Sequence, residues 1–158
     1  LALKPPPANA DPATQLSDLL AAEWQRWLAR NPEEASLIGD HRFDDRWTDY
    51  SIAAIEAGNR EDTGALLKLL EIDRERLSEA EQLNFDLYRQ QLERAIEAHR
   101  YRGYLAPINH LSGPQTADQM TELLPFASVA DYENWIARIR GVTPMVENSI
   151  IIPKLVGT

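Results

Sequence analysis

Thirteen consecutive residues, GDHRFDDRWTDYS at 39–51, hold one histidine, two arginines and four aspartates. Carboxylates and an imidazole so close together are the residue types of a calcium loop, a zinc site or an acid–base centre. A calcium loop of the helix–loop–helix kind needs an oxygen ligand third, a glycine sixth and a glutamate twelfth. Counted from Asp40, those places hold Arg42, Asp45 and Ser51. The template fails at all three. Arg42 and Arg46 offset two of the four aspartates, and Asp49 or Ser51 is placed to cap a following helix. The expectation is a salt-bridged loop between helices, with His41 left as a residue able to touch a substrate.

A helical zinc site places two histidines four residues apart with a glutamate as base. The chain has only His41, His99 and His110, and no pair has that spacing. His99 and His110, eleven apart, would be separated by about 16 Å on one helix at 1.5 Å per residue. His99 ends an apolar stripe and reads as a half-buried, hydrogen-bonded side chain. His110 falls in a loop and, like His41, could face a substrate. No G-x-S-x-G, G-x-G-x-x-G or phosphate-binding loop occurs, and HLSGP at 110–114 lacks the strand–turn–helix setting of a nucleophilic serine. The adjacent carboxylates Asp44–Asp45 and Glu33–Glu34 read as solvated. Trp24, Trp27 and Trp135 lie in amphipathic helical patterns, which favours core packing over a stacking platform. No catalytic, cofactor-binding or metal-ligating residue is assigned within this chain.

The elements that must position these residues are helical. With 158 residues and 44% hydrophobic content, the chain can bury a core. Its net charge of −9 lacks the basic footprint that nucleic acid requires. It has no cysteine, so disulfides, thiolate nucleophiles and Cys-ligated zinc are excluded together. No apolar run approaches the roughly 20 residues of a membrane span. The start, LALKPPPANADP, is proline-rich and reads as a flexible arm over 1–11, like a linker following a removed signal or lipid-anchor segment; export to the periplasm or cell envelope is the expectation drawn from it.

Asp11-Pro12 then signals a helix start, and Leu16, Leu19, Leu20, Trp24, Trp27 and Leu28 form one face. Asn31-Pro32-Glu33-Glu34 starts a short second helix that stops at Gly39. A third helix is expected from Asp49 or Ser51 to Leu77, with a break around Gly58 to Gly64. Ser78-Glu79-Ala80-Glu81 is a capping box opening a long helix to about Arg102, striped by Phe85, Tyr88, Leu92, Ile96 and His99. Residues 103–115 read as a loop and Thr116 to Leu124 as another helix. Ser128-Val129-Ala130-Asp131 caps a last one carrying Tyr132, Trp135, Ile136 and Ile139. The fold class is all-α, a multi-helix array over 12–148. The tail at 149–158 is apolar and proline-interrupted, and its side chains want a partner surface, which reads as truncation or a gap.

Four ordered segments carry a resemblance: NPEEASLIGDHRFDDRWTDYS (31–51), LLEIDRERLSEAEQLNFDLYRQQLE (69–93), YLAPINHLSGPQ (104–115) and PFASVADYENWIARI (125–139). Over residues 14 to 148 the chain resembles the N-terminal part of a bacterial family catalogued as domain of unknown function 885. The resemblance implies a largely helical parent, several-fold longer, often an exported lipoprotein, and similar to zinc metallopeptidases whose HExxH helix lies in the C-terminal half. It implies that this chain is scaffold and substrate-channel wall, that zinc belongs to the full-length parent, and that the partners are the C-terminal remainder and a peptide substrate. The alternative is a non-enzymatic helical module that binds a partner through the apolar face at 145–158. A stand-alone hydrolase using His41 or His110 ranks third.

Overall fold

In the computed structural model the backbone of residues 11–105, 114–122 and 124–156 is described, with side-chain surroundings for 11–105, 117–122 and 124–149. His110 and the arm at 1–10 lie outside these residues. Among the described residues there are six α-helices and no strand, so the chain is all-α. They are α1 (Pro12–Arg30), α2 (Pro32–Leu37), α3 (Ile52–Leu70), α4 (Glu79–Arg100), α5 (Val129–Arg140) and α6 (Val142–Val156). Short 3-10 turns fill His41–Phe43, Arg74–Arg76 and Gly103–Leu105, and a longer 3-10 segment runs from Pro114 to Glu122. No described helix is long and apolar enough to cross a membrane.

The helix signals act through identifiable bonds. Ser78 Oγ accepts the Glu81 N–H while the Glu81 carboxylate accepts the Ser78 N–H at 2.8 Å, which closes a capping box on α4. Ser128 and Asp131 do the same for α5. The backbone N–H groups of Ser128 and Ala127 hold the Asp131 carboxyl below the usual aspartate range. At the end of α2, Gly39 takes φ +85°, a conformation that costs glycine little and other residues more. Ser51 Oγ accepts the Ala54 N–H to cap α3, and Asp49 accepts the Ser51 N–H one step earlier.

Two expectations about helices are corrected. The third helix shows no break at Gly58 to Gly64 and ends at Leu70, well before Leu77. Gly58 is buried, and a mid-helix glycine costs only about 1 kcal/mol against alanine, so packing overrides propensity there. The segment expected as an α-helix from Thr116 to Leu124 is instead the 3-10 run Pro114–Glu122.

The chain divides into two compact units, with boundaries inside α1 and α3. The first comprises residues 1–25 and 58–101. Its core is Leu16 from α1, Ala65 and Leu69 from α3, Ile72 and Leu77 from the connection, and Phe85 and Leu92 from α4. Leu19, Leu20 and Tyr88 pack against it, as the predicted stripes require. Trp24 departs from the prediction: it is 48% exposed. The second unit comprises residues 26–57 and 102–158, and there α6 packs on α5 and on both 3-10 segments of residues 103–122.

Leu69 is fully buried, whereas Leu67 on the opposite side of α3 is largely exposed. Leu69→Ala is expected to lower unfolding stability by about 2–5 kcal/mol, and Leu67→Ala to stay within about 0.5 kcal/mol. Urea denaturation of both variants checks this; equal losses would contradict the assigned face of α3.

Candidate functional site: a buried arginine beneath the 39–51 loop

The 39–51 loop belongs to the second unit, and each of its four aspartates has a local partner. Asp40 accepts the Arg42 backbone N–H at 3.2 Å and pairs with Arg42 Nε at 2.8 Å. That guanidinium holds the Asp40 carboxyl below its usual range. Asp45 pairs with Arg46 at 3.0 Å, so the two arginines offset two of the four aspartates, as expected. Both guanidinium groups also stand over the Phe43 ring, 5.1 and 5.3 Å from its centre. Asp49 caps the turn before α3, as described above.

Asp44 is different. It is only 4% exposed, which corrects the expectation that Asp44–Asp45 is a solvated pair. Its Oδ2 lies 2.8 Å from His41 Nδ1, and its Oδ1 accepts a short hydrogen bond from the Ser36 hydroxyl of α2. Behind them is Arg138 of α5, with no exposed surface at all. Arg138 Nη2 donates to Ser36 Oγ at 3.0 Å and to the Phe43 carbonyl at 2.8 Å, and stands 3.9 Å from Asp44 Oδ1. Its guanidinium lies 5.4 Å from the Trp47 ring centre. Nε and Nη1 have no hydrogen-bond partner among the described residues. Burial pushes the Arg138 pKa down, against the opposing pull of Asp44, Glu33 and Asp45.

The backbone of the same residue fixes the far end of the loop. Trp47 Nε1 donates to the Arg138 carbonyl at 2.6 Å. Thr48 N–H and Oγ1 both donate to the Glu33 carboxylate of α2, the hydroxyl at 2.6 Å, so Glu33 is a bound side chain and not a solvated one. Trp47 packs edge-on against Trp135, which meets Phe126 in a second edge contact. Gly141 follows α5 where a Cβ would stand 3.2 Å from both Trp47 Cδ1 and the Arg138 carbonyl, so a larger residue there would oblige its neighbours to shift by a few tenths of an ångström.

This network sets the rotation of α5. Asp131, Trp135 and Arg138 recur at steps of four and three on the inward side. The expected apolar face of Tyr132, Ile136 and Ile139 is about half exposed, and Val129 is 75% exposed. The apolar pattern alone therefore misorients the helix, because the capping box and the buried cation take the inward positions. Arg138 was not singled out from sequence. The one available signal was the surplus of loop carboxylates over loop arginines, which leaves Asp44 in need of a cation from elsewhere.

Of the sequence-predicted contact residues, His41 stands at the loop surface with its side chain 47% exposed. The structure brings it to Asp44, which in turn meets Ser36 and Arg138; His110 lies outside the described residues. The described residues do not fit a zinc ion, because no group of three or more His, Cys, Asp or Glu side chains among them could hold a metal, and one nitrogen of His41 is already engaged. What the arrangement offers chemically is an imidazole oriented by a buried carboxylate.

Removing one member of a buried charge group exposes the cost of the others. Arg138→Ala and Asp44→Ala are each expected to cost about 3–5 kcal/mol, and the double variant clearly less than the sum. Chemical denaturation of the four proteins in a cycle measures this. Strict additivity would mean that the two charges do not stabilise each other.

No curated protein matches the chain. A family model described as "Bacterial protein of unknown function (DUF885)" matches residues 32–151, from the first residue of α2 into α6. That span is about three quarters of the chain and holds the whole 39–51 loop and its Arg138 anchor. On this match the chain belongs to the DUF885 family of bacterial proteins.

Proposed function

We propose that this region is the helical scaffold and substrate-channel wall of a longer, zinc-dependent peptidase-like hydrolase. In this reading the chain supplies no metal ligand and no catalytic group, and zinc sits on an HExxH helix elsewhere in the intact protein. Export to the cell envelope, as a lipoprotein, is part of the same reading. The observation that carries it is family membership over residues 32–151, together with the four-segment resemblance to the N-terminal part of such proteins. The geometry is compatible with a wall: the second unit spends its polar groups on locking a loop in place, with His41 left at the surface to meet a peptide substrate.

The intact gene product tests this. It should carry two histidines four residues apart beyond Thr158, bind one zinc per chain, and hydrolyse peptides. Changing the glutamate between those histidines to glutamine should reduce hydrolysis by at least about a hundredfold, the scale on which acid–base groups contribute. A product lacking the motif, or one that binds no zinc, would end this reading.

A second reading, a non-enzymatic helical module that binds a protein partner, is favoured by one observation. Val129, Tyr132, Ile136 and Ile139 form an exposed apolar stripe along α5. Sedimentation at rising concentration separates the two: self-association abolished by Ile136→Lys supports a binding module, and a monomer at all concentrations counts against it.

A further inference from the structure

The outward side of α5 repeats every seven residues. Val129 and Ile136 are one such pair, Tyr132 and Ile139 another, and their exposure runs from 48% at Ile136 to 75% at Val129. Arg138, two residues past Ile136 and so on the other side of a 3.6-residue turn, has no exposed surface. Two apolar positions per heptad make the narrow seam of a paired helix, whereas a helix packed on a core shows a broader face.

Along one edge of that seam stand Glu133 and Arg140, again seven apart and both exposed. Arg42, Arg46 and Arg74 each find a carboxylate within their own unit. The side chains of Glu133 and Arg140 have no ion-pair or hydrogen-bond partner among the described residues. Charges at the edge of a helical seam set the choice and direction of the partner helix.

Opposite charges at the same edge position of two successive heptads complement themselves in one arrangement. When two copies of α5 run antiparallel about a twofold axis near Ile136, each edge meets its own copy reversed. Glu133 then faces the partner's Arg140, and the symmetry makes that contact twice. When the copies run parallel, the charged edge meets the opposite one, which holds Ser128 and Trp135. Trp135 is already packed against Trp47 and Phe126, and no charge is met there. A partner helix of another sequence would not require this self-complementary spacing.

We propose that the outward face of α5 docks a second copy of this chain, the two helices antiparallel, with Glu133 of each paired to Arg140 of the other. The inference deepens the second reading above by naming its partner, and it needs neither zinc nor hydrolysis. A helix of 12 residues is only about 18 Å long. The pair therefore covers less than the roughly 1,200 Å² of a tight interface, and the dimer is transient, with a dissociation constant on the order of 100 µM.

Sedimentation of the intact protein, over concentrations from tenfold below that constant to tenfold above it, should show monomer passing to dimer. Glu133→Arg and Arg140→Glu each set like charges at both contacts and should weaken the dimer about tenfold. An equimolar mixture of the two variants restores opposite charges at both contacts and should pair as the unaltered protein does, as mixed dimers. Both positions are exposed, so thermal unfolding of the variants should be unchanged. A monomer throughout the range, single variants that pair like the unaltered protein, or a mixture as weak as its components would each overturn the proposal. Dimers lost in Ile136→Lys but indifferent to both charge variants would overturn this pairing while leaving the second reading in place, so the two fail separately.

Discussion

The second unit depends on one buried cation. Taking a guanidinium out of water costs several kcal/mol, and attraction offsets that cost only where partners are close and well aimed. Arg138 finds them in Ser36 of α2, the Phe43 carbonyl, Asp44 and the Trp47 ring, contributed by segments about ninety to a hundred positions earlier in the chain. Those contacts cannot form one at a time at little cost, since each leaves the cation partly unpaired until the others arrive. The loop, α2 and α5 are therefore joined as a single piece. The inward side of α5 carries that side chain, and the backbone carbonyl of the same residue accepts the Trp47 indole bond beside Gly141.

The same stretch, rich in metal-ligand types, does not gather its carboxylates at one point. A cation cage needs several carboxylates converging on one point with their lone pairs free. In residues 39–51 the aspartates diverge: two pair with neighbouring arginines, one caps a turn, and one is buried against Arg138. The negative charge is consumed locally. His41 stays at the loop surface, its imidazole oriented by the buried Asp44 carboxylate.

Much of the fold was legible because its signals are local. Capping boxes at Ser78–Glu81 and Ser128–Asp131, the glycine stop at Gly39 and the stripes of α1 and α4 each depend on residues within a turn or two of one another. Pairing of Arg42 and Arg46 with loop aspartates was legible for the same reason. What could not be read was the fate of Asp44, whose partners Ser36 and Arg138 are set by tertiary packing, and hence the inward face of α5. Periodicity assigns the inside of a helix to its apolar residues. In α5 a charge already committed to the interior overrides that rule and turns Tyr132, Ile136 and Ile139 outward. The continuity of α3 through two glycines was missed because packing of the buried Gly58 outweighs a propensity cost of about 1 kcal/mol.

Native-state hydrogen exchange across residues 39–48, read together with the Trp47 indole proton, tests the central claim most directly. If Arg138 joins loop and helix into one piece, the N–H groups of Asp40 and Thr48 and the Trp47 indole should exchange as slowly as the middle of α5, because all open in the same event. Rapid exchange at those three sites beside a protected α5 would show a loop that opens independently, and would contradict the account.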